Sequence, residues 1–205
     1  MDYQSIIDKY YPSENELRRI LLVHSRQVAD RSLKISKAHP ELRLDEEFLE
    51  EAAMLHDIGI FRCDAPSIQC FGTEPYIRHG VIGAELMRQE GWERHALVCE
   101  RHTGTGLSKR DIEQQQLPLP HQDYMPVALE EQVICYADLK SRLPNLHRNG
   151  SRLTLNRHRD RSFPGCSACC AAVPRISRKT ADRAQRTYVF LQYRPPASRR
   201  ISGTA

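Results

Sequence analysis

The sequence predicts an all-α domain of five or six helices followed by a basic C-terminal tail. Over the first 140 residues, apolar side chains recur at spacings of three and four, the period of a helix with one buried face. No stretch alternates with period two for long enough to predict a sheet. The composition then changes sharply near Asp138. Residues 1–138 carry 15 Lys and Arg against 24 Asp and Glu, whereas residues 139–205 carry 15 against 2. We therefore predict a helical bundle over 1–140 and a poorly ordered Arg-rich tail over 141–205.

The first long helix has a predicted start, a buried face and a predicted end. Ser13 and Glu16 form the pattern of a capping box. The residues at helical spacing on one face are Leu17, Ile20, Leu21, His24, Val28, Arg31 and Ile35. The helix is predicted to end at residues 38–39, because the residue before Pro40 is pushed out of the α region.

The second helix is predicted to begin at Asp45, whose side chain can cap it, with two glutamates favoured by the helix dipole in its first turn. Its buried side runs from Phe48 to His56, and Gly59 is predicted to end it as a C′ glycine. Residues 60–75 show no clear period and are predicted to form a loop. The remaining elements are predicted helices over 76–90, 92–102 and 127–140 and a short turn capped by Ser108 and Asp111.

The segment Leu55-His56-Asp57-Ile58-Gly59 is the first candidate for chemistry. An adjacent His and Asp at an apolar helix end are costly to bury unless a partner satisfies them. A divalent cation can accept both an imidazole nitrogen and a carboxylate oxygen. An isolated His-Asp pair is more often a hydrogen-bonded His beside a solvated Asp, so the pair alone does not establish a metal site.

Further ligand-type side chains favour a metal site. They are His24 on the apolar face of the first long helix, His79 at the start of the third, His102 at the end of the fourth and Asp138 in the fifth. Each lies at an apolar or terminal position of its helix, which suits an inward-facing metal site in a helical bundle.

Together these residues resemble the HD superfamily of metal-dependent phosphohydrolases, and within it the HDIG group, over about residues 20–140. His24, the tetrapeptide from His56 to Gly59 and the late Asp138 follow the family order H…HD…D. His79 and His102 match the extended pattern of members that hold two metals.

The resemblance implies a ligand set and a mechanism. One metal is held by His24, His56, Asp57 and Asp138, and Asp57 bridges to a second that His79 and His102 also bind. His56 and Asp57 form the catalytic pair, and a bridging water is acidified to hydroxide. One or two divalent ions are expected, either Mn²⁺, Fe²⁺, Ni²⁺ or Mg²⁺, with mixed N and O ligands favouring a transition metal.

Four cations are candidates for substrate binding: Arg78, Arg101, Lys109 and Arg110. They lie beside the ligand histidines or after the glycine-containing segment 103–106, and could neutralise a phosphate. Ordinary solvated charge is the alternative. His95 and His121 are predicted to be surface histidines.

The predicted function is hydrolysis of a nucleotide or other small phosphate ester. Cyclic di-GMP is disfavoured, because residues 101–107 contain one His, no Glu and no Tyr-Pro, unlike that branch of the family. Two other classes stay open. The HDIG scaffold also supports di-iron oxygenases, and the domain could be a non-catalytic nucleotide-binding module.

The sequence predicts a cytoplasmic protein with no membrane partner. It contains no basic segment followed by a signal-like apolar run, and no run of about 18 apolar residues. Its seven scattered cysteines are typical of reduced thiols. The single CxxC spacing, at Cys166, Cys169 and Cys170, is a weak zinc signal because no second pair follows.

The tail has three interpretations. An abrupt shift to Arg, Ser, Pro, Ala and Cys without Glu is typical of a frameshift in a GC-rich gene, so residues from about 139 are predicted to be out-of-frame or otherwise non-homologous. A genuine basic arm that binds nucleic acid is the second interpretation, and without such an arm nucleic acid is not expected as a partner. A simply disordered tail is the third.

Overall fold

The computed structural model describes residues 1–142, and it confirms the all-α prediction. The helices of this part are α1 (Tyr3–Tyr10), α2 (Glu16–Ala38), α3 (Glu46–Leu55), α4 (His79–Gln89), α5 (Glu93–Arg101), α6 (Lys109–Gln115) and α7 (Leu129–Arg142). Three short strands lie between α3 and α4: β1 (Cys63–Ala65), β2 (Cys70–Phe71) and β3 (Glu74–Pro75). The predictions for the tail beyond Arg142, including its frame and its CxxC spacing, lie outside the described residues.

Helix α2 begins later than predicted. Its N-cap is Asn15, whose side chain accepts a hydrogen bond from the Arg18 N–H at 2.9 Å. Ser13 lies outside the helix, in a turn where its carbonyl accepts from the Asn15 N–H at 2.9 Å. The predicted end is confirmed, because α2 stops at Ala38 ahead of a 3₁₀ turn that starts at Pro40. The sequence does not predict α1, a helix of eight residues capped by Asp2.

Helix α3 begins as predicted, with the Asp45 side chain accepting from the Phe48 N–H at 3.1 Å. The predicted end at Gly59 is wrong, because the helix stops at Leu55 and Gly59 has φ −83° and not the left-handed conformation of a C′ glycine. The glycine has a packing role instead. A Cβ there would lie 2.3 Å from the carbonyl oxygen of His79 and 2.5 Å from the amide nitrogen of Gly83. The chain after α3 therefore lies directly against the backbone of α4.

The predicted loop over residues 60–75 contains a small sheet. Strand β1 lies in the middle, antiparallel to β2 and parallel to β3. Strands of two or three residues are too short to show an alternating pattern, so the sequence does not reveal them. The sheet returns the chain to the start of α4.

Helices α4 and α5 approach closely through small residues. A Cβ on Gly80 would lie 2.5 Å from the Cys99 carbonyl oxygen, and one on Gly83 would lie 3.3 Å from the Cys99 Cβ. The short turn predicted at Ser108 is the start of α6, and both hydrogen bonds of its capping box with Asp111 are present.

The main core lies among α2, α3, α4, α5 and α7. Its fully buried side chains include Leu21, Val28, Leu49, Leu55 and Ile134. A smaller cluster around Ile77, Leu107 and Ile112 packs under the segment that carries α6. The polar side chains described next lie where the C-terminal ends of α3 and α5 meet α2, α4 and α7.

Candidate metal centre

Six histidine and aspartate side chains meet at this place. They are His24 in α2, His56 and Asp57 just after α3, His79 at the start of α4, His102 just after α5 and Asp138 in α7. Five of them are buried, with exposed fractions of 3% or less. His24 keeps 21% of its side chain exposed, so the centre borders solvent at this residue. The structure thus brings together all six side chains predicted as ligands.

The outer group consists of His24, His56 and Asp138. Nε2 of His24 lies 3.0 Å from Oδ1 of Asp138 and 3.3 Å from Nε2 of His56. Nε2 of His56 lies 3.8 Å from the same Asp138 oxygen. Donors bonded to one ion at about 2.0–2.2 Å lie about 3–3.6 Å from one another, so this spacing suits a single cation.

The inner group consists of His79 and His102, whose Nε2 atoms are 3.1 Å apart. Oδ1 of Asp57 lies 3.4 Å from Nε2 of His79 and 3.2 Å from Nε2 of His102. Its other oxygen, Oδ2, lies 3.5 Å from Nε2 of His24 and 3.6 Å from Nε2 of His56. The Asp57 carboxylate therefore lies between the two groups, with one oxygen toward each.

The backbone fixes the orientation of the three buried imidazoles. The Nδ1–O distances are 2.6 Å from His56 to Ala53, 2.7 Å from His79 to Tyr76 and 2.7 Å from His102 to Cys99. A carbonyl oxygen can only accept, so each Nδ1 carries the ring proton and each Nε2 of a neutral ring presents a lone pair.

This donor set fits a divalent cation. The lone pairs of His79 and His102 face each other at 3.1 Å, an arrangement that is repulsive until a positive charge lies between them. The carboxylates of Asp57 and Asp138 are nearly inaccessible to water, and buried carboxylates are costly without a compensating positive charge. Imidazole nitrogens with carboxylate oxygens are ligands of first-row transition metals.

Two buried cysteines lie beside the centre and donate to the backbone. Burial raises the pKa of the Cys99 thiol well above its usual range, and the Asp57 carboxylate adds to the effect. Burial and Asp138 act in the same way on the Cys135 thiol and its pKa. The thiols instead donate to backbone carbonyls, Cys99 to Leu55 and Cys135 to Gly104. Both cysteines therefore pack as neutral side chains.

Comparison with known proteins assigns the family. Residues 21–143 match the HD domain family, and this match covers more than half of the chain. The chain belongs to the HD domain family. HD domains bind divalent metal ions, and the family is one of metal-dependent hydrolases.

The HD domain has relatives among archaeal proteins. An uncharacterized protein of Methanocaldococcus jannaschii is 36% identical over 124 residues, which are 56% of this chain and 66% of that protein. A tRNA (cytidine(56)-2'-O)-methyltransferase of Picrophilus torridus is 29% identical over 140 residues, 63% of this chain and 36% of the methyltransferase. The Thermoplasma volcanium protein of the same name is 29% identical over 136 residues, 66% of this chain and 34% of its own.

The chain thus spans just under two thirds of the first relative and about one third of each methyltransferase. No solved structure matches it. Within residues 1–142, no helix combines the length and the apolar character needed to cross a membrane.

The four cations predicted to bind substrate differ in their position and in their partners. Arg78 pairs with Glu74 at 3.0 Å, Arg101 with Glu131 at 3.2 Å and Lys109 with Glu113 at 3.8 Å. Arg110 is exposed on α6. Arg78 and Arg101 each directly precede a histidine of the centre, whereas Lys109 and Arg110 lie on the surface of a separate helix.

The prediction for His95 is wrong, and that for His121 is confirmed. His95 is 5% exposed, because it lies seven residues before His102 and therefore on the same inward face of α5. His121 is on the surface, with 62% of its side chain exposed.

Two residues that were not predicted from the sequence support the centre. Tyr76 stacks on the His79 ring, with centroids 4.7 Å apart and planes at 23°. The buried Glu131 accepts hydrogen bonds from Arg101 and from the Val127 N–H. The sequence signal that could have identified Tyr76 is its position three residues before His79. From there its carbonyl oxygen lies 2.7 Å from Nδ1 of His79.

Proposed function

We propose that this HD domain hydrolyses the phosphate ester of a small molecule, with nucleotides as the first substrate class. The supporting observation is the Asp57 carboxylate, which directs one oxygen to each of two groups of histidine nitrogens. Two adjacent cation sites are the arrangement that in-line displacement at phosphorus uses. The tetrapeptide from His56 to Gly59 supports placing the protein in the HDIG subgroup.

The proposed ligand roles follow the two groups. His24, His56, Asp57 and Asp138 hold a first cation, and Asp57, His79 and His102 hold a second. When bound, these cations supply Lewis acidity to a water nucleophile and to the phosphoryl oxygens. His56 and Asp57 form the proposed catalytic pair.

The residues themselves contribute positioning and a dry environment. The carbonyl oxygens that accept from Nδ1 keep the three buried rings in one tautomer, so their Nε2 lone pairs need no rearrangement. Burial of Asp57 and Asp138 excludes bulk water and strengthens every charge interaction in the centre. Phosphoryl transfer needs little beyond such positioning and charge stabilisation.

Substrate recognition is proposed for Arg78, Arg101, Lys109 and Arg110. Arg78 and Arg101 are better candidates than Lys109 and Arg110, because each lies next to a ligand histidine and keeps part of its side chain exposed. Solvent reaches the Arg78–Glu74 pair, and such pairs contribute little stability, so a phosphate can replace Glu74. Glu131 is buried, so Arg101 keeps this partner and offers the exposed part of its guanidinium to a phosphate. Arg101→Gln is expected to raise KM more than it lowers kcat.

A small phosphorylated molecule fits the charge of the domain better than a nucleic acid. Residues 1–138 have an excess of acidic side chains, which disfavours a polyanion. Two relatives are named as enzymes of tRNA, but the matched part is only about a third of their length. tRNA therefore belongs in the substrate screen as the competing class. We also propose that the protein is cytoplasmic.

The deciding experiment combines elemental analysis with a phosphate-release screen. The full-length protein is loaded with Mn²⁺, Fe²⁺, Ni²⁺ or Mg²⁺ in turn and assayed on nucleotides, sugar phosphates and tRNA. We expect one to two equivalents of metal and phosphate release that chelation abolishes. Metal-dependent oxygen consumption by the iron form without phosphate release would indicate the oxygenase. Nucleotide binding without turnover in a metal-replete sample would indicate a binding module.

A further inference from the structure

The turn that carries Asp57 is contacted by a side chain from outside the part of the chain that matches the HD domain family. This turn, residues 56–59, follows the end of α3. The carbonyl oxygen of Asp57 accepts from a backbone N–H three residues later at 3.1 Å. The next carbonyl oxygen, that of Ile58, accepts from the side-chain hydroxyl of Tyr11 at 2.9 Å. Tyr11 precedes the family match, which begins at residue 21.

Tyr11 is itself held in place on all sides. Its N–H donates to the Ile7 carbonyl at 2.8 Å, and its own carbonyl accepts from Nη1 of Arg18 at 2.5 Å. The same guanidinium pairs with Asp8 at 2.6 Å. The Tyr11 ring lies edge-on to Phe61, with centroids 5.4 Å apart and planes at 77°. The hydroxyl is therefore presented to the turn in one fixed direction.

The hydroxyl supplies a donor that the turn requires. Ile58 is fully buried, and a buried carbonyl without a hydrogen-bond partner is costly. Burial raises the pKa of the Tyr11 hydroxyl well above its usual range. The hydroxyl therefore stays protonated and can donate at neutral pH.

The Asp57 carboxylate depends on the direction of this turn. One of its oxygens lies 3.2 Å from Nε2 of His102, and the other lies 3.5 Å from Nε2 of His24. Bonds from ligand atoms to a metal ion keep within about 0.2 Å of their preferred length. A rotation of the Ile58 peptide would turn the neighbouring Asp57 and displace both oxygens at once. A change at the turn therefore affects both groups of the centre.

We propose that Tyr11 is a positioning residue for Asp57, and that α1 thereby contributes to the metal centre. Its hydroxyl fixes the Ile58 peptide and, through that peptide, the direction of the Asp57 carboxylate. This role depends on the metal-binding function proposed above for Asp57. Loss of a group that orients a metal ligand lowers metal affinity or activity by about 10–100-fold.

The test compares two variants that each lose one hydroxyl group. Tyr11→Phe keeps the ring beside Phe61 and removes the donor to Ile58. Tyr10→Phe is the matched control, because the Tyr10 ring stacks on the same Phe61 ring at 6.1 Å and its hydroxyl donates to Glu90 at 2.6 Å. The full-length proteins are titrated with Co²⁺, whose visible absorption reports both its affinity and its coordination geometry.

We expect Tyr11→Phe to bind Co²⁺ about tenfold more weakly than the native protein, with shifted absorption bands. Tyr10→Phe should match the native protein in both. With Mn²⁺, kcat of Tyr11→Phe should fall about tenfold and KM should change by less than about twofold, because the ligands and not the substrate contacts are displaced. Circular dichroism establishes that each variant is folded. A merely structural hydroxyl would leave the affinity and spectrum of the folded protein unchanged, and that result would overturn the proposal.

Arg18→Lys provides a second test at the other end of Tyr11. Lysine keeps a positive charge beside Asp8 but removes the Nη1 donor to the Tyr11 carbonyl. We expect Co²⁺ binding to weaken about threefold, less than in Tyr11→Phe because the hydroxyl remains. If Tyr11→Phe does not fold, native Co²⁺ affinity in Arg18→Lys would refute the positioning role.

The same titration separates this role from the proposed hydrolysis. A native protein that binds Co²⁺ but releases no phosphate would refute the hydrolysis, and the comparison of Tyr11→Phe with Tyr10→Phe would still decide the role of Tyr11. A native protein that binds no metal ion would overturn both.

Discussion

The two ends of α3 and α5 carry the same kinds of side chain and differ in what those side chains can bind. The C-terminal ends present His56, Asp57 and His102, and the N-terminal ends present Glu51 and His95. At both ends the histidines are buried and face carboxylates. Among the described residues, however, the ligand triplets suited to a metal ion occur at the C-terminal ends, with His24 and Asp138 completing one of them.

The difference lies in where each imidazole donates its one proton. At the metal centre the proton of each buried ring goes to a backbone carbonyl, and the Nε2 atoms of His56, His79 and His102 face the Asp57 carboxylate. At the N-terminal ends the proton of His95 goes to the Glu51 carboxylate, so the acid is used as a hydrogen-bond partner. The types of residue therefore do not by themselves make a metal site. The group that accepts the ring proton of each histidine determines whether its other nitrogen can bind a cation.

Replacing Asp57 should produce the largest effect, because both groups share its carboxylate. Asp57→Asn keeps the shape and removes the charge, so we expect metal content to fall below one equivalent and kcat to fall at least about 10²–10³-fold. Metal analysis and the phosphate-release assay measure the two. His121→Ala on the surface is the control, and native turnover in Asp57→Asn would refute the mechanism.

Replacing one histidine of the inner group or one of the outer group should distinguish the two cation sites. His79→Ala is expected to lose the inner metal and keep the outer one, whereas His24→Ala is expected to do the reverse. Each variant should lose at least about 10–100-fold in activity. Metal stoichiometry by mass spectrometry checks the result. Complete loss of metal in both variants would show that a single ion is bound.

Metal removal should destabilise the protein. A metal present at about one hundred times its Kd stabilises the fold by about 2.7 kcal/mol, and EDTA abolishes this increment. Thermal unfolding with and without EDTA measures it. Asp57→Asn should show little response to EDTA, and a native protein equally insensitive to EDTA would contradict a bound metal.

Replacing Gly59, which lies close to the backbone of α4, should have a smaller effect than replacing a residue of the metal centre. Gly59→Ala forces the chain away from the carbonyl of His79 and is expected to cost about 1–3 kcal/mol of unfolding free energy. Gly91→Ala is a useful comparison, because Gly91 has φ +82° but a methyl group there would meet nothing within 4 Å, and it should cost about 1 kcal/mol. Urea unfolding measures both. Equal stability of Gly59→Ala and native protein would contradict the contact.

The smallest expected effect is at His95. Because its folded pKa is lowered, the unfolded state binds more protons below about pH 6.5, and this residue makes stability rise with pH through that window. His95→Gln removes this contribution and leaves the metal content unchanged. Urea unfolding in EDTA at several pH values between 5 and 7 isolates the difference. An identical pH dependence of both proteins would contradict the assignment.

The sequence predicts the long elements because their apolar faces repeat many times. It also predicts the six centre residues, through the order in which they resemble the HD pattern. The resemblance separates His102 from His95, but helical spacing places both on one face of α5, so the predicted surface position of His95 is wrong. The sequence does not show what each imidazole contacts, the Glu51 carboxylate for His95 and the Cys99 carbonyl for His102.

The errors of prediction concern short features. Capping by Asn15 in place of Ser13 depends on one turn of backbone, and both residue types are good caps. Strands of two and three residues leave no period to detect. The C′ role predicted for Gly59 fails because the glycine serves a contact with α4 that local sequence does not contain.

His24 and Asp138 stand near opposite ends of the domain in sequence and 3.0 Å apart in space. An ion held by both would act as a cross-link between the first long helix and the last described one, and it would close a loop made of nearly the entire domain. Closing a long loop restricts the unfolded chain more than closing a short one. Hydrogen exchange along α2 and α7 should therefore slow together when the ion binds, as the two helices open only as a unit.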